Sequence, residues 1–377
     1  MKRRVFILFL IAALFLSSCS GGAGDAEPRP NPIPTTSSAV DVPAKPTPSP
    51  DPTPAPTPVP TPEPTPEPEE PVNPLTGLPM EEDAINKRPI AIMLNNLKQA
   101  MPQLGNSQAD VIYEVLAEGG ITRMLAIYQS VEDVGLIGSV RSARTYYLEL
   151  ALGHDAIYLH AGGSPDAYDK IKAWGVTAFD CINGPYEGTL FWRDKSRIKN
   201  NGMVHSVVTS GETILELLPT YKIRQEHKDD YSYVMEFAKD GTPSDGQQAK
   251  KITVPYSYYK TGVFQYDDTS GKYLVEEYDK AYVDGNNGEQ VAVTNVLVLR
   301  TDCSLIPGDD ADRITVDLSG EGDGWFACGG KMIPIRWNKD GVNDQLTYLT
   351  LDGEAVVFGV GNSYVNIVPL DSEVQFE

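Results

Sequence analysis

Nine polar residues between positions 95 and 205 have types and positions that could form a ligand site. They comprise two carboxylates, three arginines, two histidines and two asparagines, and most lie next to apolar segments. Polar side chains at strand carboxyl ends and helix N-termini meet at one edge of an α/β sheet, where ligands of such folds bind. The candidates for ligand binding or catalysis are therefore Asn95, Asn96, Glu114, Glu118, Arg123, Arg141, Arg144, His160 and His205.

Arg141 and Arg144 bracket the start of a predicted helix and allow two interpretations. Guanidinium groups bind carboxylate or phosphate in bidentate fashion, and a helix N-terminus favours an anion. Alternatively, Glu114 and Glu118 are neutralised by Arg123 and Arg141 in an internal ion network, and this second interpretation is preferred.

Catalysis is a further alternative for the same residues. Glu114 or Glu118 could act as acid or base, with His160 or His205 assisting. No G-x-S-x-G, Walker or H-E-x-x-H motif is present, and no C-x-x-C pair indicates zinc. The Ser196–Lys199 and Lys260–Gly262 segments match two motifs of penicillin-binding enzymes, but they lie too close together in sequence for that fold. We expect no metal and no cofactor.

The elements that must position these residues alternate between strands and helices, which predicts a layered α/β arrangement. Gly119-Gly120 suits a hairpin turn between two strand-like segments. Ser142 and Ser164 are predicted N-caps. The predicted strands cover residues 88–95, 109–118, 122–130 and 155–160, and the predicted helices cover residues 142–153, 164–174 and 209–218.

From about residue 250 the chain changes to short β-rich segments separated by Gly, Asp and Asn. We therefore divide the body into an α/β part, residues 73–246, and a β-rich part, residues 247–370, which could continue the same sheet. Cys303 and Cys328 both lie in this second part and could form a disulfide outside the cytoplasm. Cys181 is interpreted as a buried apolar residue.

The first 18 residues have the layout of an export signal. Three basic residues precede an apolar run from Val5 to Leu16, which is shorter than the roughly 20 residues that a membrane-spanning helix requires. The segment Leu16-Ser17-Ser18-Cys19 resembles the lipobox of bacterial lipoproteins. This resemblance implies a diacylglyceryl thioether on Cys19, with acyl chains such as palmitate that hold the protein on a membrane.

Residues 19–72 form a proline-rich segment that predicts a disordered stalk. Residues 28–71 contain 18 of the 30 prolines, so helix and sheet are excluded and extended polyproline II is expected. The whole chain has a formal net charge of −21. Such an acidic chain is a poor candidate for binding nucleic acid, because phosphate binding relies on clustered positive charge.

The body resembles the YerB family of bacterial lipoproteins, which carry the domain called DUF3048. The resemblance rests on SQADVIYEVLAEGGITR at 107–123, IGSVRSARTYY at 137–147, AIYLHAGGSPDAY at 156–168 and GEGDGWFACGGKMIPIRW at 320–337. It implies a layered α/β sandwich built from two family segments. Ser206 replaces the asparagine that usually follows the family's histidine, here His205.

These observations predict an extracytoplasmic lipoprotein, held on the cell membrane by lipid on Cys19. Its expected role is non-enzymatic binding or scaffolding at the cell envelope, with a cell-wall component or envelope protein as partner. The alternative is a cell-wall-directed hydrolase or transferase that uses Glu and His chemistry in residues 73–246.

Overall fold

The computed structural model describes residues 70–377, which belong to one compact unit. All five α-helices of the described residues lie before residue 246, together with the first nine strands. The helices are α1 Glu82–Ile85, α2 Thr145–Gly153, α3 Pro165–Trp174, α4 Lys195–Asn201 and α5 Gly211–Leu217. The strands are β1 Ile90–Asn95, β2 Val111–Leu116, β3 Thr122–Tyr128, β4 Leu136–Gly138, β5 Ile157–His160, β6 Ala178–Asp180, β7 Trp192–Arg193, β8 Val207–Ser210 and β9 Glu236–Ala238.

The remaining described residues form strands, as the change in sequence pattern predicts. Polar turns separate them. They are β10 Gln247–Gln248, β11 Lys251–Pro255, β12 Thr261–Asp267, β13 Lys272–Glu277, β14 Lys280–Ala281, β15 Ala292–Val293, β16 Asn295–Thr301, β17 Cys303–Leu305, β18 Ile314–Val316, β19 Gly320–Cys328, β20 Lys331–Lys339, β21 Thr347–Thr350, β22 Val357–Gly359, β23 Ser363–Pro369 and β24 Gln375–Phe376.

Strands from both parts of the chain form one eleven-stranded mixed sheet. Its order is β10-β20-β19-β16-β23-β2-β3-β1-β5-β6, and β21 pairs with β20. The parts join where β23, near the end of the chain, pairs in parallel with β2 on one side and with β16 on the other. The parts at 73–246 and 247–370 therefore share backbone hydrogen bonds within a single sheet.

Two further layers cover the faces of this sheet, and the predicted α/β sandwich is confirmed. Alternate residues of β2 face opposite sides, with Ile112 in one core and Tyr113 in the other. The first core contains residues of a six-stranded sheet, β11–β15 and β24, together with α5. The second core contains residues of α2 and α3. Every residue of β1, β2 and β3 is consequently buried.

Local signals explain the turns and helix ends near the carboxyl edge of the sheet. Gly119 and Gly120 have φ of 62° and 77°, which the β2–β3 connection requires and glycine adopts without strain. The predicted cap of α3 is confirmed, since the Ser164 hydroxyl accepts a hydrogen bond from the Ala167 amide. Ser142 does not cap α2, because the N-cap position belongs to Arg144.

The disulfide considered between Cys303 and Cys328 is absent, and both residues are free thiols. Cys328 pairs in register with Asn295 at the start of β16, whereas Cys303 follows the end of that strand. Eight residues of extended chain span roughly 26 Å, but a disulfide requires Cα atoms within about 7 Å. The β16 strand therefore separates the two sulfur atoms.

The predicted signal peptide, the lipidation site at Cys19 and the stalk at 19–72 lie outside the described residues, apart from the last three stalk positions. Among residues 70–377, no helix is both long and apolar enough to cross a bilayer.

Candidate functional site

The candidate site lies at the carboxyl edge of the large sheet, where Asn95 ends β1 and His160 ends β5. Its centre is a group of three arginines, Arg123, Arg141 and Arg144, which we call the guanidinium cluster. The segment carrying the last two crosses this edge, because the Ala161 amide donates to the carbonyl oxygen of Arg141.

Glu118 is the carboxylate that pairs with the guanidinium cluster. Its Oε2 accepts from Nη2 of Arg144 at 2.6 Å, and its Oε1 forms an ion pair with Nη2 of Arg123. Burial alone would raise the pKa of Glu118, but the two arginines lower it below its ordinary value. Burial and the like charge of Arg144 lower the pKa of Arg123 to about 10. Glu118 is therefore a carboxylate at neutral pH, with its side chain 24 % exposed.

Arg141, the third arginine of the cluster, forms no ion pair among the described residues. Its Nη1 donates to the carbonyl oxygen of Val204 at 2.9 Å. Burial lowers the pKa of Arg141, with Glu118 acting in the opposite direction. The three guanidinium groups of the cluster are thus accompanied by one carboxylate, that of Glu118.

The Nε atoms of all three arginines are buried and have no hydrogen-bond partner among the described residues. An unsatisfied buried donor costs about 1–3 kcal/mol, and more when it is charged. Helix α2 begins directly after Arg144, so the positive end of its dipole adds to the positive electrostatic potential of the three arginines. The excess of positive charge is suited to an anion that carries several acceptor oxygens and approaches from the side of the partly exposed Arg141.

The two candidate histidines flank the cluster and are already bonded within the protein. His205 Nδ1 lies 2.8 Å from Nδ2 of Asn95. Burial, followed by the charge of Arg141, lowers the pKa of His205. Burial also lowers the pKa of His160, whose Nδ1 donates to the carbonyl oxygen of Gly162. Both imidazoles are neutral at pH 7.

The loop after β5 already binds a carboxylate of the protein, that of Asp180 at the end of β6. Asp180 accepts hydrogen bonds from the amides of Gly162 and Ile182 at 2.7 and 2.9 Å, and from the hydroxyl of Tyr168. The amides of Gly162 and Ile182 are therefore not available to a ligand, which leaves the neighbouring arginines as donors. Within residues 70–377, no group of three or more His, Cys, Asp and Glu side chains is arranged to hold a metal ion.

A second polar group lies between the two sheets and consists of Glu114, Lys260 and Glu277, which we call the ion triad. The side chains of Glu114 and Lys260 are 0 % exposed. Lys260 Nζ lies 3.0 Å from Oε1 of Glu114 and forms an ion pair with Glu277. Glu114 also accepts hydrogen bonds from Thr122 at 2.6 Å and Tyr364 at 2.6 Å.

The protonation states of the ion triad follow from these contacts. Burial would raise the pKa of Glu114, but the ammonium of Lys260 and hydrogen bonds lower it below its ordinary value. Burial and the negative charge of Glu114 raise the pKa of Glu277 to about 8. One ammonium, one carboxylate and one neutral carboxyl group leave the triad uncharged overall at pH 7.

The nine candidates therefore divide between two places. Asn96 belongs with the ion triad, since its Nδ2 donates to Glu114 at 2.7 Å. The predicted neutralisation of Glu114 by arginine is wrong, because Lys260 from the second part provides the charge. The Glu118–Arg123 ion pair of the predicted network is present, and Arg144 joins it. The other candidates lie at the carboxyl edge of the sheet.

Comparison with known proteins identifies the fold's relatives. Residues 75–224 match the family described as "Protein of unknown function (DUF3048) N-terminal domain", and residues 252–365 match the corresponding C-terminal domain. The chain is 33 % identical over 303 residues to the Bacillus subtilis (strain 168) protein named "Putative lipoprotein YerB", which covers 78 % of this chain and 86 % of the relative. This chain belongs to the DUF3048 family.

A crystal structure of a DUF3048 relative, the YerB protein from Bacillus subtilis, has the same fold. It superposes with a TM-score of 0.70 at 29 % identity, over 81 % of this chain and 100 % of that chain. The two DUF3048 segments meet in the shared sheet through β23, and the ion triad joins Glu114 of the first to Lys260 and Glu277 of the second.

Proposed function

We propose that this chain is a lipoprotein of the extracytoplasmic membrane face that binds an anionic group of a cell-wall component or envelope protein at the guanidinium cluster. The excess of three guanidinium groups over one carboxylate, with Arg141 partly exposed and in no ion pair among the described residues, carries the proposal. Carboxylate and phosphate oxygens form strong charge-assisted hydrogen bonds with guanidinium donors.

The catalytic alternative has less support from the same geometry. Glu114 is 0 % exposed and its oxygens are bonded within the core, so a substrate does not reach it. Glu118 is ionised at neutral pH and paired with two arginines, which makes it a weak general acid or base. Binding therefore fits these residues better than turnover.

The proposed membrane attachment depends on lipid at Cys19. The name of the Bacillus subtilis relative, which calls that protein a putative lipoprotein, supports this attachment. Two acyl chains bind a membrane stably, because each buried methylene contributes about 0.8 kcal/mol. Cys19→Ala is expected to move the protein from the membrane fraction to the soluble fraction of producing cells. Cys181→Ala, a matched loss of a thiol, should leave it with the membranes. An equally membrane-bound Cys19→Ala variant would contradict the anchor.

Anion binding is tested by thermal unfolding of the full chain in detergent, with inorganic phosphate added at constant ionic strength. A ligand that binds the folded state raises the unfolding temperature, and at a given concentration a tighter ligand raises it further. We expect Arg141→Gln to weaken phosphate binding about tenfold, or about 1.4 kcal/mol. Arg141 is the appropriate choice because it forms no ion pair among the described residues, so its loss leaves Glu118 paired.

Arg336→Gln is the control for that measurement, since Arg336 is exposed and its removal changes the net charge equally. This variant should bind phosphate like the wild type. Equal phosphate affinities in all three proteins would place the anion elsewhere and remove the support for the proposed function.

A further inference from the structure

A second site lies at the opposite edge of the large sheet, below the amino ends of β1 and β5. It is a cleft of about 700 Å³, within the roughly 300–1,000 Å³ typical of small-ligand sites. Both DUF3048 segments contribute to it. Its lining includes Asp155, Trp174 and Arg224 of the first segment and Asp344, Gln345 and Thr347 of the second.

We propose that this cleft binds an uncharged saccharide. The proposal is independent of anion binding at the guanidinium cluster, because β5 separates the two sites. Asp155 precedes β5 at the cleft, whereas His160 ends that strand near the cluster.

The charges of the cleft favour a neutral ligand rich in hydroxyl groups. Its lining contains three basic and four acidic side chains. The most buried of the acids, Asp155, is already neutralised, since Arg224 donates to both of its oxygens at 2.6 and 2.7 Å. The three acids that remain, Asp230, Asp340 and Asp344, outnumber the one lysine of the lining, Lys228. Their excess negative charge would repel a polyanion. Carboxylates readily accept hydrogen bonds from sugar hydroxyls.

Two half-exposed aromatic rings provide apolar contact for the C–H faces of sugar rings. Trp174 ends α3 and lines one side. Tyr231 is stacked on His227, with ring centroids 3.9 Å apart and an interplanar angle of 4°. His227 in turn lies 3.1 Å from Asp155. Tyr231 is thus fixed on one face, as a preformed ligand platform requires.

The polar groups available to the ligand lie on both sides of the cleft. Lys228, Asp230 and Asn343 are exposed, and none forms a side-chain hydrogen bond or ion pair within residues 70–377. The neighbouring Gln345 holds the two walls together, because its Nε2 donates to the carbonyl oxygen of Ser232 at 2.6 Å. A rigid frame with free amide, carboxylate and ammonium groups suits hydroxyl recognition.

The test is calorimetric titration of the full chain, in a detergent without a sugar headgroup, with chitotetraose, cellotetraose and maltotetraose in turn. We expect at least one to bind, and we expect Trp174→Ala to weaken that binding at least tenfold. Asn343→Ala, which removes an exposed side chain without internal bonds, should weaken it about threefold. Tyr258→Ala is the matched aromatic control, because Tyr258 is 95 % exposed and lies beside Gly120, away from the cleft.

The proposal is overturned if none of the three oligosaccharides binds at about 1 mM, or if Trp174→Ala and Asn343→Ala bind like the wild type. Binding of a peptide instead, lost in Trp174→Ala, would assign the cleft to a protein partner. Trp174→Ala should bind phosphate like the wild type. A failure of saccharide binding at the cleft can therefore be distinguished from a failure of anion binding at the guanidinium cluster.

Discussion

Replacing Lys260 by methionine is expected to lower the free energy of unfolding by about 3–5 kcal/mol, the largest loss of any substitution considered for this protein. Methionine has a similar length but no charge, so Glu114 would remain buried as an unpaired carboxylate. The change is measured as the shift of the urea midpoint of the full chain. Loss of folded protein during expression would be the extreme form of the same result.

The control is Lys250→Met, which removes a lysine from an exposed ion pair with Asp268. Such surface pairs contribute about 0–1 kcal/mol, so the midpoint should hardly move. A second variant that combines Lys260→Met with Glu114→Gln should recover part of the lost stability, because no buried charge is then left unpaired. Equal midpoints for Lys260→Met and Lys250→Met would show that the ion triad does not stabilise the fold.

The ion triad explains why the first DUF3048 segment does not satisfy its buried charge alone. Glu114 lies on β2, in the middle of the large sheet, and faces the smaller sheet that carries Lys260. Without Lys260, the first segment would expose or bury an unpaired carboxylate. The second segment contains both Lys260 and Glu277, which form an ion pair with each other. Electrostatics therefore joins the segments in addition to the backbone pairing of β23.

The sequence predicted the elements that depend on local signals. Alternating and continuous apolar runs identified β1, β2, β3 and β5 within two residues at most ends. The glycine pair identified the hairpin, and Ser164 identified the start of α3. Helix α4 was missed, since Lys195–Asn201 is mostly polar and carries little apolar periodicity. Its cap, Asp194, was the available signal, because its side chain accepts from the Arg197 amide.

The contacts of the guanidinium cluster lie close together in sequence, whereas those of the ion triad are non-local and could not be predicted from the sequence. Glu118, Arg123 and Arg144 lie within 26 positions of each other, and their ion pairs follow from the hairpin and the following helix. Lys260 is 146 positions from Glu114, and nothing in its neighbourhood indicates a buried ammonium ion. Its resemblance to a K-T-G motif points to a different fold. Only the packing of one sheet on the other shows the pairing.

The same packing makes stability depend on pH. Burial and the negative charge of Glu114 raise the pKa of Glu277 from an ordinary value of 4.5 to about 8, so the folded state binds this proton more tightly than the unfolded state. The resulting stabilisation is complete below pH 4.5 and is lost as the pH rises through 8. Asp110 acts in the same direction, because burial raises its pKa from 3.8 to about 7. We expect the urea midpoint of the wild type to fall between pH 6.5 and pH 8.5, above the range in which His154, whose pKa burial lowers from 6.5 to about 4, acts in the opposite direction.

Glu277→Gln isolates the contribution of one carboxyl group to that fall. Glutamine keeps an oxygen for Lys260 and is uncharged, like the protonated Glu277. The variant should match the wild type near pH 5 and be the more stable protein at pH 8.5, by a few kcal/mol since each unit of pKa difference corresponds to about 1.4 kcal/mol.

Between pH 6.5 and pH 8.5, the remaining slope of the Glu277→Gln variant should come largely from Asp110, whose neutral form Asp110→Asn imitates. Glu114 has the opposite sign, because its lowered pKa gives stability that is present above pH 4.5 and lost in acid. It therefore cannot produce a decline on the alkaline side. A Glu277→Gln variant that declines as steeply as the wild type up to pH 8.5 would mean that Glu277 is ionised in the folded protein, with Lys260 shared between two carboxylates and the triad negatively charged.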